Sequence, residues 1–328
     1  MAIGIEVDGI EKTFFVAEKE TGVLGAIRGL FNRRYRRLKA LDSLSFSIQS
    51  GEMIGFIGPN GAGKSTTIKI LSGILLPDKG KCEVLGITPW ENRISHVSRI
   101  GVVFGQRTQL WWDLPVIESF ELLRDIYRVP NERYRQNLDE LSQMLDLTSI
   151  FNIPVRQLSL GQRMRCDLTA ALLHSPSILF LDEPTIGLDA PSKLAVRGFL
   201  SRLNKTLGTT IIITTHDLDD IESLCKRVLV INSGRLLFDG CLEDLRKSFF
   251  RERRLKIDFD ECNSDFHVLD LKIVSREGNR IIFSFDPESI SAPVLIQKIA
   301  EKHNIRDIFV ENPPIEEVIS RLYHDSNK

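Results

Sequence analysis

A glycine-rich stretch at residues 58–66, Gly-Pro-Asn-Gly-Ala-Gly-Lys-Ser-Thr, constrains the fold of this 328-residue chain more than any other feature. The apolar run Met53–Ile57 before it is typical of a buried strand, and Thr67–Leu71 after it is typical of the start of a helix. Glycines in such a turn let successive backbone N–H groups point at an anion on the positive end of the helix. Lys64 is expected to add a charge to the outer phosphates of that anion, and Ser65 a hydroxyl to a magnesium ion. The residues predicted to form this phosphate-binding loop are Gly58, Pro59, Asn60, Gly61, Ala62, Gly63, Lys64, Ser65 and Thr66.

The charges of the chain nearly cancel, with 43 Lys and Arg residues against 44 Asp and Glu residues. The molecule as a whole therefore carries no field that would gather nucleic acid, and we expect no nucleic-acid partner. The five cysteines are scattered and form no C-x-x-C pair, which favours free thiols over a zinc site. The N-terminal residues lack the pattern of a signal peptide, and the longest apolar runs fall far short of the roughly 20 residues that span a bilayer. If the protein works at a membrane, we expect another chain to span it.

Short apolar runs alternate with segments of helical period through most of the chain. Residues 100–104, 178–181 and 210–214 are each typical of a fully buried strand, and residues 228–238 are typical of a hairpin. This alternation predicts an α/β fold with a mainly parallel core sheet. We expect it to be joined by an antiparallel β region near the N-terminus and by a helical subdomain at about residues 107–175.

The composition changes at the charged stretch of residues 242–254, which is typical of a helical linker. Short strands and helices of a small α+β domain are predicted after it, and no residue set there suggests chemistry. The strands are predicted at 255–259, 268–274, 281–285 and 305–310, and the helices at 292–302 and 315–323. We therefore expect one domain at residues 1–241 and an accessory domain at residues 242–328.

A basic insert at about residues 16–39 interrupts the N-terminal β region. From Thr21 to Leu41 the sequence has no acidic residue, while arginine and lysine accumulate and apolar residues recur at three- and four-residue steps. This pattern predicts a basic amphipathic helix. Two interpretations fit it: contact with anionic lipid headgroups or an acidic partner, or a surface helix that packs its apolar stripe on the parent domain.

Two carboxylates and a histidine stand at the ends of predicted strands. Asp182 follows a buried strand, where open parallel sheets place ligand-facing groups, and its carboxylate could share a magnesium ion with Ser65. Glu183 is a candidate for polarising an attacking water, and His216 for holding a terminal phosphate and orienting that water. Taken singly, an Asp-Glu pair after a strand is often a turn, and a histidine at a strand end is often structural. Their combination with the phosphate-binding loop favours a catalytic site.

A second helix start that favours an anion is predicted at Leu158-Ser-Leu-Gly-Gln162. Ser159 and Gln162 have the spacing of a capping box, and Gly161 removes a side chain from the first turn. Alone, this stretch would be only a well-capped helix. A nucleotide in the first loop already uses one helix start, so the second could serve the nucleotide of another molecule.

Together these motifs resemble the nucleotide-binding subunit of an ATP-binding cassette (ABC) transporter. Seven motifs occur once each, in the order of that family, within about residues 3–240. They are the Walker A loop (58–66), the Q-loop glutamine Gln106, the signature (158–162), the Walker B strand (178–182), the catalytic glutamate Glu183, the D-loop (187–189) and the switch histidine His216.

The resemblance implies that two cassettes associate head to tail, each ATP lying between one Walker A loop and the opposite signature helix. The implied cofactors are ATP and Mg²⁺, with Ser65, Gln106 and Asp182 as metal ligands and with Glu183 and His216 as catalytic residues. Beyond the loop, the residues implied to contact the nucleotide are Phe14, Gln106, Ser159, Gly161, Gln162 and Asp189. The implied partners are membrane-spanning permease subunits docked near residues 107–175, which places the protein on the cytoplasmic face of the cell membrane.

The chain departs from the commonest family pattern in three places. The signature has Leu160 where glycine is usual, and the aromatic residue that would stack on adenine is best matched by Phe14, with Phe15 adjacent, although tyrosine is commoner there. The basic insert also separates that aromatic residue from Leu41 by more than is usual. The tail at residues 312–323 and the Ser-Leu-Gly-Gln signature resemble bacterial exporter ATPases of the daunorubicin-resistance type, so we expect export. The alternatives are an importer ATPase and a soluble cassette protein that acts on ribosomes or DNA. Proteins of the latter kind usually carry two cassettes or a long coiled-coil insertion, and this chain has neither.

Overall fold

The computed structural model describes residues 2–17, 35–105, 107–249, 252–260 and 271–326. The chain divides into two compact units, Met1–Gly240 and Cys241–Lys328. Strands described in the first unit are β1 (Ile3–Ala17), β2 (Tyr35–Gln49), β3 (Met53–Ile57), β4 (Lys79–Val84), β5 (Ile100–Phe104), β6 (Ile178–Asp182), β7 (Thr210–Thr215), β8 (Arg227–Asn232) and β9 (Arg235–Cys241), the last of which ends at the boundary. Helices described there are α1 (Lys64–Leu71), α2 (Arg93–Val97), α3 (Val116–Ile126), α4 (Asn131–Leu145), α5 (Leu160–Leu172), α6 (Ala190–Leu207) and α7 (Leu218–Leu224).

A six-stranded sheet with the order β5-β6-β7-β3-β8-β9 forms the centre of the first unit. The pairs β5–β6, β6–β7, β3–β7 and β3–β8 are all parallel. Their residues are almost entirely buried, as the near-continuous apolar runs predict. The predicted α/β fold with a mainly parallel core sheet is confirmed.

The hairpin of β8 and β9 closes through the two residues Ser233 and Gly234. Both have a positive φ, 49° for Ser233 and 77° for Gly234, as a tight two-residue turn that matches the twist of the strands requires. Gly234 also lies where a Cβ atom would be 2.7 Å from the carbonyl oxygen of Ala40. The predicted hairpin is therefore confirmed, and its turn contacts β2.

The antiparallel sheet of the first unit has the order β2-β1-β4. Strands β1 and β2 are each 15 residues long and pair through register partners that include Phe14 with Leu38 and Val16 with Arg36. The expected amphipathic helix is thus wrong for residues 35–41, because the ladder to β1 satisfies the backbone of β2 there. The remainder of that prediction, residues 18–34, lies outside the described residues.

One continuous hydrophobic core joins the two sheets of the first unit. It contains Ile5 of β1, Leu44 of β2, Ile54 of β3, Phe180 of β6 and Leu229 of β8, all of which are fully buried. The helices α3, α4 and α5 lie in the region predicted to be helical, and α5 begins immediately after Ser159 as expected. In the described residues, no helix is long and apolar enough to cross a bilayer.

The described elements of the second unit are α8 (Leu242–Phe249), β10 (Arg253–Phe259), β11 (Lys272–Glu277), β12 (Arg280–Phe285), α9 (Ala292–Ala300), β13 (Ile305–Glu311) and α10 (Ile315–Ser326). Its four strands form an antiparallel sheet with the order β11-β12-β10-β13. Leu255, Ile257, Phe283, Leu295 and Ile299 form the centre of its core, in which α9 packs against the sheet. The helical linker ends earlier than predicted, because Arg253 already pairs with Phe285. The strand predicted at 268–274 corresponds to β11, which begins at Lys272; residues 261–270 lie outside the described residues.

Four cysteines lie in the described residues, and all four are free thiols. Cys82, Cys166 and Cys225 are buried, and burial raises the pKa of each thiol to about 12. Cys241 is partly exposed, and Cys262 lies outside the described residues. The expectation of free thiols is confirmed for these four, and the three buried ones are chemically inert.

Candidate active site

The phosphate-binding loop connects β3 to α1, as its sequence predicts. Gly61 and Gly63 have φ angles of 82° and 109°, which glycine adopts far more readily than other residues. A Cβ atom on Gly63 would lie 2.7 Å from the carbonyl oxygen of Ala40, so close packing also requires glycine there. The N–H of Gly234 donates to the carbonyl oxygen of Ala62 at 2.9 Å. The β8–β9 turn and β2 together hold the loop in its shape.

Lys64 is the first residue of α1, and its side chain folds back over the loop. Its Nζ atom donates to the carbonyl oxygens of Gly58, at 2.6 Å, and Pro59, at 3.1 Å. Only 5% of the residue is exposed. This burial lowers the pKa of Lys64, and the nearby carboxylates of Glu183 and Asp182 offset part of that shift. The lysine is therefore a desolvated cation at the loop, where its field on an incoming anion is strong.

Ser65 and Asp182 meet at the end of the parallel sheet. The Oγ atom of Ser65 donates to Oδ1 of Asp182 at 3.1 Å. A hydroxyl and a carboxylate are oxygen ligands of the kind that Mg²⁺ prefers, and Mg²⁺ commonly takes its other ligands from water and substrate phosphates. Among the described residues, no group of three or more His, Cys, Asp or Glu side chains is arranged to hold a metal ion. The donor set thus fits a magnesium ion that arrives with a nucleotide; Gln106, the third predicted ligand, lies outside the described residues.

Glu183 and His216, the two residues predicted to be catalytic, lie side by side. Nδ1 of His216 is 3.3 Å from Oε1 of Glu183, and 18% of the Glu183 side chain is exposed against 56% of the His216 side chain. Glu183 has a φ of 55°, an uncommon left-handed conformation for a non-glycine residue. Its N–H donates to the carbonyl oxygen of Thr214 at 2.9 Å. The backbone therefore fixes the base candidate while the histidine stays open to solvent.

A cleft of about 670 Å³ collects these groups beside the phosphate-binding loop. It brings together Ser65, Asp182, Glu183 and His216, which stand far apart in the sequence. Among the described residues, no member of the signature and neither Phe14 nor Phe15 lines it. The described residues that line the cleft are Asn60, Ser65, Lys69, Ile74, Phe104, Gly105, Arg107, Asp182, Glu183, Ile186 and His216.

The signature begins α5 with the predicted capping box. Ser159 accepts a hydrogen bond from the N–H of Gln162 at 3.2 Å, and the Gln162 side chain accepts from the N–H of Ser159 at 2.9 Å. A Cβ atom on Gly161 would overlap the hydroxyl of Ser192 at the start of α6. The absence of that atom lets the two helix starts touch.

The D-loop lies against the signature of the same chain. Asp189 caps α6 by accepting from the N–H of Ser192 at 3.2 Å, and the Ser192 hydroxyl, followed by this N–H, lowers the pKa of Asp189. A Cβ atom on Gly187 would lie 2.9 Å from Cδ2 of Leu160. The unusual leucine of the signature therefore packs over a glycine of the D-loop, which gives its side chain room.

The two candidates for the adenine-stacking aromatic differ in exposure. Phe14 is partly buried, and the Lys12 ammonium lies 5.9 Å from its ring centre. Phe15 is 61% exposed, and the guanidinium of Arg37 lies 5.6 Å from its ring centre. Because neighbouring strand residues point to opposite faces of a sheet, only one of the two rings can face a given ligand.

A buried polar network behind the site had no signal in the sequence. Asp220 of α7 is 1% exposed and accepts hydrogen bonds from the Thr185 hydroxyl and from the guanidinium of Arg197 on α6. It therefore ties the turn after Glu183 to two helices. In the sequence it is one of several acidic residues after His216, and nothing there marks it as different from the others.

The fold and the site define a phosphate-loop ATPase of the cassette type, and comparisons with known proteins agree. A sequence model of the family described as "ABC transporter" matches residues 41–186. The chain is 31% identical to the daunorubicin resistance ATP-binding protein DrrA3 of Streptomyces coeruleorubidus, over 90% of this chain and 95% of that protein. It is 28% identical to the linearmycin resistance ATP-binding protein LnrL of Bacillus subtilis, over 88% and 95%. It is also 36% identical to the Nod factor export ATP-binding protein I of Neorhizobium galegae, over 63% and 59%.

Solved structures of ATP-binding cassettes have the same fold. One is a dimeric cassette bound to ADP and Pi in a post-hydrolysis state, with a TM-score of 0.61 and 26% identity, over 73% of this chain and 98% of that chain. Another is cbiO1 from Clostridium perfringens, part of the ABC transporter complex cbiONQ, with a TM-score of 0.60 and 25% identity, over 76% and 94%. The chain belongs to the family of ABC transporter ATP-binding proteins and is an ATPase, which confirms the expectation drawn from its motifs.

Proposed function

We propose that this chain is the ATP-hydrolysing subunit of an ABC exporter and drives transport through separate membrane-spanning permease subunits. The observation that carries the proposal is the cleft in which Ser65, Asp182, Glu183 and His216 converge beside a rigid phosphate-binding loop. Export is supported by relatives named for daunorubicin resistance, linearmycin resistance and Nod factor export. The family resemblance of the tail at residues 312–323 points the same way.

The mechanism we propose follows from the chemistry of each group. The loop N–H groups and Lys64 hold the phosphates of ATP, and Ser65 and Asp182, with Gln106, would hold its Mg²⁺. The metal would neutralise charge on the phosphates when bound. Glu183 orients the attacking water and accepts its proton, and His216 holds the terminal phosphate beside that water. The fixed backbone of Glu183 and the exposed imidazole suit these two roles.

A second copy of the chain would complete the site. Ser159, Gly161 and Gln162 lie outside the cleft of their own chain, yet they present a well-capped helix start that favours an anion. We propose that they, with Asp189 of the D-loop, contact the ATP of a second subunit in a head-to-tail homodimer. A dimeric cassette of the same fold supports this arrangement. Phe14, rather than Phe15, is proposed to stack on adenine because its ring is partly buried.

The domains and the location complete the proposal. Residues 1–241 would form the ATPase domain and residues 242–328 an accessory domain, and the division into the compact units Met1–Gly240 and Cys241–Lys328 supports this. The permease would dock near residues 107–175, so the protein would lie on the cytoplasmic face of the cell membrane. The basic insert at residues 16–39 is proposed to contact lipid headgroups there, because arginine and lysine accumulate between Thr21 and Leu41, where the sequence has no acidic residue.

Isolation of the full chain from detergent-solubilised membranes tests the partner. The expected result is co-purification of a multi-span membrane protein that lacks a cassette of its own, identified by mass spectrometry. The complex, reconstituted in proteoliposomes with the cassettes facing outward, is then expected to move substrate into the vesicles when ATP is added. A complex with the inactive Glu183→Gln variant is the matched control.

Two outcomes would contradict the proposal. Transport out of such vesicles would make the chain an importer subunit. Co-purification with ribosomes or DNA and with no membrane protein would make it a soluble cassette protein.

A further inference from the structure

Thr214 lies beside the ends of β6 and β7, the two strands that Glu183 and His216 follow. It belongs to β7 and is the register partner of Asp182 on the parallel neighbour β6. It is fully buried. The four residues before it are all β-branched, as is usual in a buried strand, so the sequence does not mark Thr214 as a functional residue. A buried hydroxyl needs hydrogen-bond partners, and the partners of this one are both in the active site.

The first partner is the carboxylate proposed to hold the metal. The Thr214 hydroxyl donates to Oδ1 of Asp182, the same oxygen that accepts from Ser65 at 3.1 Å. Two donors on one oxygen set the rotation of the carboxylate. Within the described residues, Oδ2 of Asp182 accepts no hydrogen bond from the protein, so that oxygen is left to face the hydrated metal of a bound nucleotide.

The second partner is the backbone of the proposed base. The N–H of Glu183 donates to the Thr214 hydroxyl at 3.2 Å, in addition to its 2.9 Å bond to the Thr214 carbonyl oxygen. One hydroxyl thus donates once and accepts once, which is within its capacity. The forked bond supports the left-handed backbone of Glu183, whose φ is 55°.

We propose that Thr214 is a positioning residue that orients Asp182 toward the magnesium ion and fixes the backbone of Glu183. The inference rests on the proposed ATPase site, in which Asp182 holds that ion. Thr214→Val keeps the shape of the side chain and removes only the hydroxyl, so it isolates the hydrogen bonds. Thr214→Ser keeps the hydroxyl and removes a methyl group.

Thr210 provides a matched control on the same strand. It is 2% exposed, and its hydroxyl accepts from the N–H of Gly51 at 2.8 Å, at the opposite end of β7 from the site. Thr210→Val therefore removes a buried hydroxyl from β7 without touching Asp182 or Glu183. It is expected to lower the unfolding temperature and leave metal binding unchanged.

Metal affinity is the readout that separates positioning from packing. Mn²⁺ would be titrated into each full-length variant with ATP and followed by electron paramagnetic resonance, and ATP binding would be measured separately in EDTA. Since Asp182 loses one charge-assisted hydrogen bond, Thr214→Val is expected to need about tenfold more Mn²⁺ for half saturation. The ATP affinity of Thr214→Val in EDTA is expected to match that of the wild type, and its kcat is expected to fall by a larger factor than its KM rises. Thr214→Ser is expected to restore metal binding.

An unchanged Mn²⁺ affinity in Thr214→Val would overturn the positioning role, as would a loss of ATP affinity that is equal with and without metal. If Thr214→Val does not fold, Thr214→Ala against Thr214→Ser gives the same comparison with the same expected direction. A wild-type chain whose ATP binding and turnover ignore the metal would overturn the proposed ATPase site itself. The two failures are therefore distinguishable.

Discussion

Nδ1 of His216 lies 3.3 Å from Oε1 of Glu183, so a strand-end histidine and a strand-end carboxylate share one edge of the cleft. The two residues differ in freedom. Glu183 is held by backbone hydrogen bonds to Thr214, whereas more than half of the His216 side chain is exposed. We infer that the histidine can turn toward a terminal phosphate while the carboxylate keeps its place beside the water.

Glu183→Gln is expected to bind ATP normally and to lose turnover by a factor of about 10² to 10⁴, the usual contribution of a general base. The amide keeps the size of the side chain but cannot accept the proton of water. The uncleaved ATP should then hold two subunits together. Phosphate-release assays would measure the loss of turnover, and size-exclusion chromatography with Mg²⁺ and ATP would detect the two subunits held together. Normal turnover in this variant would remove Glu183 from the role of base.

Gly105→Ala is expected to lower kcat by at least about tenfold, because the new Cβ atom would overlap the carbonyl oxygen of Glu183 and displace the base. The N–H of Gly105 also donates to the carbonyl oxygen of Asp182 at 2.8 Å, so that segment would shift as well. Gly198→Ala on α6 is the control, since a Cβ atom there meets nothing within 4 Å. It should keep full activity and gain about 0.5–1 kcal/mol of stability. Equal ATPase rates for the two variants would refute this reasoning.

We expect Asp167 to make the stability of the chain depend on pH. It is 3% exposed on α5, and burial raises the pKa of its carboxyl from 3.8 to about 6, although the Thr108 hydroxyl and the Gln109 N–H donate to it. Between those pKa values the folded chain binds a proton that the unfolded chain has lost. The contribution of Asp167 to the free energy of unfolding is therefore greatest below pH 3.8, falls as the pH rises through about 6, and is then constant.

Urea unfolding of Asp167→Asn between pH 4 and pH 8 would check this pH dependence. The amide oxygen can still accept both hydrogen bonds and does not titrate, so the fall in stability with rising pH should be smaller in the variant than in wild type. Asp139→Asn on the exposed face of α4 is the control and should follow wild type. Curves of identical slope for Asp167→Asn and wild type would contradict the assignment.

Asp220→Ala is expected to destabilise the first unit by about 3–5 kcal/mol, because it leaves the Arg197 guanidinium and the Thr185 hydroxyl without their buried acceptor. The exposed pair Arg156–Asp113, whose side chains are 54% and 75% exposed, is the comparison. Asp113→Ala should cost less than about 1 kcal/mol. Chemical denaturation would measure both changes, and similar losses in the two variants would argue against the importance of the buried network.

Sequence patterns predicted those elements that are determined by interactions between residues close together in the chain. The β8–β9 hairpin follows from a two-residue turn between apolar runs, and the start of α5 follows from the Ser159–Gln162 capping box. The extension of β2 through residues 35–41, where a basic amphipathic helix was predicted, was not foreseen. The pairing of β1 with β2 is a non-local interaction, whereas the three-residue spacing of Tyr35 and Leu38 is that of a helix face.

The residues of the candidate active site also divide into those that local sequence patterns predict and those that they do not. The phosphate-binding loop, Asp182, Glu183 and His216 could be predicted because each combines a characteristic residue with a strand or helix end. Thr214 and Asp220 could not, because their partners come from neighbouring strands and helices that only the folded chain brings together. Leu160 looked like a departure from the family pattern, and its contact over Gly187 supplies the physical reason that it fits.

The locking of the phosphate-binding loop by Ala40 and Gly234 has a consequence for the thermodynamics of nucleotide binding. The loop acquires its shape when the domain folds, so little conformational entropy remains to be lost when ATP arrives. A larger share of the free energy of the phosphate contacts then remains as a surplus in the net free energy of binding. That surplus would be available to draw the proposed second subunit onto the nucleotide, so the stiffness of the loop would help to determine how firmly the two subunits close.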